Sequence, residues 1–255
     1  MKLENLAVCI LSYERHEKIQ KTLDSYKESG FLDMVDESFI YFNKMSKDDI
    51  SLAEDYEMVY CGCEYNLGIG WGMVSAINVA ESDYVLFLEN DFILPTSKEE
   101  TYRQLSMGLE LVKQNELDLV KYRSLEDHFT TCNETKSWFE KGGRHAFEPY
   151  VWHLGFTADD EYGHNNLDIC ELIAKDDEIE MWRMSSQHAH WSNNPFLCRR
   201  DWFLEYASQI GLDLRHRVLK EYTRHPDFEG NIGDSWIKKN CNVGIIKPAL
   251  FEHQY

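Results

Sequence analysis

Residues 84–92 read Tyr84-Val85-Leu86-Phe87-Leu88-Glu89-Asn90-Asp91-Phe92, a strand-forming apolar run that ends in two carboxylates. A continuous run of aromatic, branched and aliphatic residues is typical of a strand that is buried on both faces of a parallel sheet. Carboxylates at the carboxyl end of such a strand are suited to a cation, a phosphate-bound metal or a ribose. The stretch therefore predicts an α/β fold with a ligand site at one edge of its sheet.

The first hundred residues alternate between strand-like and helix-like segments. The predicted strands are Leu6 to Ser12, Phe39 to Asn43, Glu57 to Cys61 and Tyr84 to Leu88, and the predicted helices are Arg15 to Lys27 and Trp71 to Ala80. This alternation predicts a mostly parallel sheet with right-handed crossovers. Ligands of such sheets bind beyond the carboxyl ends of the strands.

The second part of the chain has a weaker pattern. It contains a predicted helix from Lys98 to Lys113, a strand from Leu117 to Tyr122, renewed periodicity over Arg199 to Gln209 and Asp213 to Tyr222, a short helix from Asp234 to Lys239 and a strand from Val243 to Ile246. Over residues 123–190 the pattern has no sustained period, which predicts loops and short elements instead of another strand-helix-strand repeat. Because no linker or internal repeat divides the chain, we expect one domain over residues 1–255.

Composition narrows the class of protein. The chain has 255 residues, 26 basic against 45 acidic side chains and a net charge of −19, which argues against nucleic acid or anionic lipid as a partner. The apolar run from Leu6 to Leu11 is too short for a membrane span or a signal peptide, so we expect a cytoplasmic protein without membrane insertion. An odd number of cysteines, 7, favours reduced thiols over a complete disulfide framework.

Three segments together resemble the nucleotide-sugar glycosyltransferases of the GT-A fold, especially inverting family 2, in both order and spacing. They are Ile10 to Arg15, Asn66 to Asn78 and Phe87 to Asp91. The resemblance implies a single-domain α/β fold with a mostly parallel, Rossmann-like central sheet flanked by helices. It also implies that residues 1–95 bind a nucleoside diphosphate sugar, with a UDP-sugar expected, and that residues 96–255 bind a glycan or glycoprotein acceptor.

The first segment lies where the first strand leads into a helix, a geometry suited to a base and a diphosphate. By resemblance, Ser12, Tyr13 and Arg15 line the nucleoside pocket, with Arg15 as the charge partner of phosphate. The alternative is that Tyr13 and Arg15 only cap a solvent-facing helix. Asn43 stands at the end of the second strand, where the family often has an Asp that reads the base. We therefore expect Asn43 to bind the donor.

The second segment begins with a glycine-rich turn, in which backbone amides can approach a ligand closely. The resemblance implies that Asn66, Gly68 and Asn78 shape the nucleotide pocket. Taken alone, the segment is more typical of an ordinary turn.

The third segment, Glu89-Asn90-Asp91, resembles the metal-binding DxD motif of the family. A Mn²⁺ or Mg²⁺ ion between Asp91 and the two phosphates would neutralise charge on the leaving nucleoside diphosphate. Glu89 is expected at the ribose or at metal-bound water, and Asn90 is counted with the donor-binding residues. The resemblance also implies that His253 completes the metal sphere. Solvated acids and an exposed terminal His are the alternatives.

Inverting transfer needs a general base on the acceptor side. The resemblance points to Glu229 or Asp234, of which Glu229 is favoured because Asp234 could instead cap a helix. Trp191, Asn193 and Asn194 could contact the acceptor, with Trp191 offering a flat apolar face, or could form a capping turn.

The sequence therefore predicts an inverting, metal-dependent glycosyltransferase. A sugar-phosphate nucleotidyltransferase is the rival among enzymes, but it requires a glycine-rich basic loop after the first strand, which Ser12 to His16 does not supply. A non-catalytic carbohydrate-binding protein of the same fold is the rival outside enzymes.

Overall fold

A computed structural model of the chain describes residues 1–123, 170–187, 191, 193, 195–212, 233–248 and 250–254. Its helices are α1 (His16–Ser29), α2 (Lys47–Asp55), α3 (Gly68–Val79), α4 (Lys98–Lys113), α5 (Arg200–Gln209) and α6 (Gly233–Lys239), with a 3₁₀ turn at Leu32–Met34. Its strands are β1 (Leu3–Ser12), β2 (Val35–Asn43), β3 (Val59–Cys63), β4 (Tyr84–Glu89), β5 (Phe92–Ile93), β6 (Leu119–Lys121), β7 (Cys170–Lys175), β8 (Glu180–Ser185), β9 (Phe196–Arg199), β10 (Asn242–Lys247) and β11 (Glu252–His253).

Nine of the described strands form one sheet in the order β3-β2-β1-β4-β9-β6-β10-β8-β7. The strands β3, β2, β1 and β4 are parallel neighbours, as are β6 and β10. Only β9 and β8 run against the others. The predicted α/β fold with a mostly parallel central sheet is therefore confirmed. The remaining two, β5 and β11, pair antiparallel in a separate ribbon.

The core lies on both faces of this sheet. Along β1, Ala7 and Cys9 pack on the side of α3 and α5, while Val8 and Ile10 pack on the side of α1 and α4. Because β1 is apolar on both faces, its register is fixed from two sides, and the loop that follows Ser12 is held at a defined position.

The helix α4 begins and ends where the sequence predicts, whereas several other elements differ. The strands β1 and β2 and the helix α3 begin at Leu3, Val35 and Gly68, earlier than predicted. The strand β3 begins at Val59, two residues later than predicted, because Glu57 has a positive φ of 56° and belongs to a turn. The helix α2 was not predicted; Ser46 and Asp49 form a capping box at its start. The antiparallel strand β9 was also missed, since its apolar run is only a few residues long. The predicted segment Asp213 to Tyr222 lies outside the described residues.

The helix α4 packs closely against the sheet at Gly108. A methyl group at that position would lie 1.9 Å from the hydroxyl oxygen of Tyr122, so only glycine fits against this tyrosine.

Among the helices of the described ranges, none has both the length and the apolar composition that a membrane span requires.

Candidate active site

The carboxyl ends of β1, β2 and β4 meet at one edge of the sheet. Ser12 lies in register with Phe42 of β2, and Leu11 lies in register with Glu89 of β4. The loops that follow these three strands therefore approach each other, and together with the strand ends they carry several of the site residues that the sequence predicts.

The loop after β1 turns sharply into α1 through two left-handed residues. Glu14 has φ 53° and Arg15 has φ 61°, a conformation that side chains other than glycine rarely adopt. The carbonyl of Arg15 accepts the first hydrogen bonds of α1, from the amides of Lys18 and Ile19. Lys44, after β2, is also left-handed with φ 79°, and its ammonium lies 3.6 Å from the Glu14 carboxylate. Such backbone strain is concentrated at functional sites in proteins.

Asp91 is the buried acid at the centre of this edge, with only 4% of its surface exposed. Its Oδ2 atom lies 3.0 Å from Nη1 of Arg15, 3.3 Å from Nε2 of His253 and 3.7 Å from Nζ of Lys18. Burial acts to raise the pKa of Asp91, but the hydrogen bond from His253 and the charges of His253, Lys18 and Arg15 outweigh it, so that this pKa lies below its usual value. Asp91 is therefore ionised at neutral pH.

The carboxyl-terminal segment brings His253 to this acid. His253 in β11 lies opposite Phe92 in β5, and the next residue, Gln254, donates its amide N–H to the carbonyl of Asp91 at 2.8 Å. The side chain of Gln254 donates to Oγ1 of Thr22 at 2.8 Å and to the carbonyl of Lys18 at 3.2 Å. The Lys18 ammonium donates to the Gln254 carbonyl at 2.7 Å. These contacts fasten the tail to α1 and hold His253 beside Asp91.

Ser12 and Asn90 connect the loops after β1 and β4. Both are buried, and Nδ2 of Asn90 donates to Oγ of Ser12 and to the carbonyl of Glu14, each at 3.2 Å. The carbonyl of Asn90 accepts from Thr22 Oγ1 at 3.1 Å. The side-chain N–H groups of Asn90, a residue expected to bind the donor, are therefore engaged within the protein. Asn90 joins the loop after β4 to the loop after β1.

The side chain of Asn43 is also engaged within the protein. It is 3% exposed, and its Nδ2 donates to Oδ1 of Asn66 at 3.1 Å and to the carbonyl of Gly68 at 3.2 Å. Its Oδ1 accepts from the amide of Leu67 at 2.7 Å. With both N–H groups used inside the protein, Asn43 fixes the turn that precedes α3 and has no N–H group left to read a base. Gly68 has φ 75°, which explains the glycine at this turn.

Asn78 lies away from the site. It is exposed near the carboxyl end of α3, where its carbonyl accepts from Nη2 of Arg200 at 2.8 Å. The helix rises by roughly 15 Å from Gly68 to Asn78, and this rise carries the chain away from the carboxyl edge. The structure therefore does not bring Asn78, which the resemblance assigns to the nucleotide pocket, to the carboxyl edge of the sheet.

Trp191 and Asn193 are also placed differently from the expectation of an acceptor surface. Trp191 is 1% exposed, with ring centroids 4.9 Å from Trp236 and 5.3 Å from Phe196 in edge-to-face geometry. Its indole N–H donates to Oδ1 of the buried Asn193 at 3.1 Å. The ring packs in the core because a large aromatic side chain gains more by burial among other rings than by exposure. The face that was expected for an acceptor is covered.

The remaining predicted residues are Glu89, Tyr13 and Asn66, the pair Asn194 and Glu229, and Asp234. Glu89 ends β4 and is half-buried, Tyr13 is 37% exposed in the loop after β1, and Asn66 accepts from the amide of Gly68 at 2.8 Å. Asn194 and Glu229 lie outside the described residues. Asp234 falls in the first turn of α6, which begins at Gly233, so that it is not the residue that precedes the helix.

Three residues that sequence reasoning missed complete the site: Lys18, Thr22 and Gln254. Lys18 follows Arg15 by three residues, and this spacing on a helix could have indicated that both reach the same acid. Gln254 gave no local signal, since its partners Lys18 and Thr22 are more than two hundred residues away in the chain.

Two of the described side chains could hold a cation. Asp91 and His253 converge with one carboxylate oxygen and one imidazole nitrogen, a pair that suits Mn²⁺. Over the described ranges no group of three or more His, Cys, Asp and Glu side chains is arranged to hold a metal. The donor set therefore fits an ion that takes its other ligands from substrate and water.

No protein-family model and no curated protein sequence matches the chain. Among solved structures, the chain is similar over its whole length to S. aureus TarS 1-349, with a TM-score of 0.56 and 14% identity, and it spans 60% of that chain. The same protein in complex with UDP gives a TM-score of 0.54 and 12% identity, with 100% of this chain and 61% of that chain covered. A weaker likeness is to glucosyl-3-phosphoglycerate synthase from Mycobacterium tuberculosis in complex with Mn²⁺, UDP-glucose and phosphoglyceric acid. Its TM-score is 0.45 at 13% identity, with 81% of this chain and 66% of that chain covered. The fold of this chain is the GT-A fold, with its mostly parallel central sheet between helices.

Proposed function

We propose that this chain is a glycosyltransferase that transfers a sugar from a nucleoside diphosphate sugar, with a UDP-sugar as the expected donor. The observation that carries the proposal is the cluster of Arg15, Lys18 and His253 around the buried Asp91, at the edge of the sheet where ligands of this architecture bind. UDP in the complex of the similar TarS structure supports a uridine nucleotide.

Two side chains are suited to the diphosphate. Arg15 presents a guanidinium that matches phosphate oxygens with paired N–H groups, and Lys18 adds a second positive charge one turn further along α1. The amino terminus of α1 lies beside them, and the partial positive charge of a helix amino terminus favours an anion. In a chain with a net charge of −19, the presence of these two cations at the ligand edge of the sheet favours an anionic ligand.

Asp91 and His253 would hold Mn²⁺ or Mg²⁺ next to the diphosphate. When bound, such an ion supplies Lewis-acid stabilisation of the charge on the leaving diphosphate. Asp91 is kept as a carboxylate by its basic neighbours, and Gln254 keeps His253 in place. Arg15 and Lys18 would stabilise the same developing charge.

On the acceptor side, we propose inversion by direct displacement. The acceptor hydroxyl would attack the anomeric carbon, and a carboxylate would accept its proton. Glu229 is the proposed base, and Asp234, in the first turn of α6, is the alternative. A glycan or glycoprotein remains the proposed acceptor.

The proposal is tested by incubating the protein with UDP-, GDP- and dTDP-sugars, each with and without Mn²⁺ or Mg²⁺, and measuring release of nucleoside diphosphate. We expect release from at least one donor, stimulated by the metal and lost in Asp91→Asn. Asp177→Asn is the matched control, since Asp177 is an exposed acid. If no nucleoside diphosphate is released and no donor raises the melting temperature, the proposed glycosyltransferase activity is refuted. Stabilisation by a donor without release would instead favour a binding protein, and pyrophosphate formation from UTP and a sugar phosphate would favour a nucleotidyltransferase.

A further inference from the structure

All three basic groups at Asp91 contact one atom. Arg15, His253 and Lys18 reach Oδ2, at 3.0, 3.3 and 3.7 Å. A divalent ion on this oxygen would therefore lie within a few ångströms of the Arg15 guanidinium. Two positive charges at that distance repel each other, most strongly in a partly buried site. In the protein without nucleotide, Arg15 therefore competes with a metal for the same carboxylate oxygen.

The two long basic side chains, Lys18 and Arg15, differ in how firmly they are held. Lys18 is anchored by its 2.7 Å hydrogen bond to the carbonyl of Gln254, and 29% of its side chain is exposed. Arg15 is 61% exposed, and it extends over the site from the loop before α1. A long, exposed side chain can change partner at small cost, and a guanidinium binds a diphosphate as well as it binds a carboxylate.

We propose that Arg15 exchanges partners during donor binding: it holds Oδ2 of Asp91 in the free protein and moves to the diphosphate of a bound nucleotide, which opens that oxygen to the metal. This inference rests on the proposed function. Its consequence is that nucleotide and metal bind cooperatively. By linkage, each tightens the binding of the other by the same factor, and couplings of this kind are typically about 5-fold to 150-fold.

The variant Arg15→Gln tests the exchange, because it keeps much of the side-chain length and removes the charge. Lys27→Gln is the matched control: it makes the same charge change at an exposed position in the last turn of α1, about 18 Å along the helix from Arg15. Binding of Mn²⁺ to each protein is measured by electron paramagnetic resonance without nucleotide. Binding of UDP and of GDP is measured by calorimetry with and without Mn²⁺, and thermal unfolding verifies that each variant is folded.

For the wild type and for Lys27→Gln, we expect Mn²⁺ to tighten nucleotide binding by at least about 5-fold. For Arg15→Gln, we expect Mn²⁺ alone to bind several-fold more tightly than to the wild type, and the effect of Mn²⁺ on the nucleotide to shrink. If Arg15→Gln leaves both values unchanged while a nucleotide still binds, the exchange is refuted and the proposed function stands. If neither UDP nor GDP binds to the wild type under any condition, the proposed donor site fails, and the exchange fails with it.

Discussion

The substitution Asp91→Asn probes the charge at the centre of the site, because it keeps the shape of the side chain and removes its negative charge. Asp91 is 4% exposed, and its three basic neighbours are held against one oxygen. In the variant, these neighbours face a neutral amide, and the attraction that holds the tail and α1 around the acid is lost.

The expected magnitude follows from the exposure of the partners. Breaking a fully buried ion pair costs about 3–5 kcal/mol, whereas a surface pair contributes about 0–1 kcal/mol. Here the acid is buried, but the side chains of Arg15, Lys18 and His253 are 61%, 29% and 26% exposed and can be hydrated again. We therefore expect Asp91→Asn to lower the free energy of unfolding by about 2 kcal/mol at pH 7.

The pH dependence has a defined sign. The folded-state pKa of Asp91 is depressed, since the hydrogen bond from His253 and the nearby positive charges outweigh the effect of burial. A depressed carboxyl pKa stabilises the folded state above the unfolded pKa, and this contribution is lost as the pH falls through the folded value. The difference between wild type and Asp91→Asn should therefore be constant near neutral pH and shrink below about pH 4.

Urea unfolding of both proteins, followed by tryptophan fluorescence between pH 7 and pH 3, measures this difference. The control Asp177→Asn, at an exposed position, should change the free energy of unfolding by less than about 0.5 kcal/mol at any pH. The reasoning is refuted if Asp91→Asn is as stable as the wild type at pH 7. It is also refuted if the difference persists undiminished at pH 3.

Three further substitutions test other parts of the account by urea unfolding at pH 7. Asn43→Asp replaces two N–H donors with a carboxylate that faces oxygen acceptors, so we expect a loss of about 2 kcal/mol; an unchanged protein would contradict the fixed turn. Gly108→Ala places a methyl group on the Tyr122 hydroxyl, so we expect a loss of about 2 kcal/mol. Adding Tyr122→Phe should recover most of that loss, and failure to recover would place the strain elsewhere. Trp191→Ala should cost about 3–5 kcal/mol as a core truncation; wild-type stability would return Trp191 to the acceptor surface.

The sequence predicts those parts of the molecule in which a local pattern decides the outcome. The strand from Tyr84 and the helix from Lys98 were found because an apolar run or a helical period fixes the burial of each element. Asp91 was found because acids at the end of a buried strand lie at the ligand edge of a parallel sheet.

Other residues have contacts that the sequence did not predict, because those contacts depend on which residues are close in space. Asn78 was assigned by its place in a motif, but the rise of α3 carries it to the other end of the sheet. Asn43 belongs to the right loop, yet its hydrogen bonds are spent on the neighbouring turn. Gln254 and Lys18 meet only because the end of the chain pairs with β5, and such long-range pairing leaves no local sequence signal.

The central claim is that the cluster at Asp91 binds the diphosphate of a nucleotide together with a divalent ion. The most direct test is a crystal structure with UDP and Mn²⁺, in which anomalous scattering locates the metal. We expect the Mn²⁺ peak to lie within about 2.3 Å of an Asp91 oxygen, with Arg15 on the diphosphate. Nucleotide bound elsewhere, with Arg15 still on Asp91 and no manganese at this carboxylate, would contradict the account.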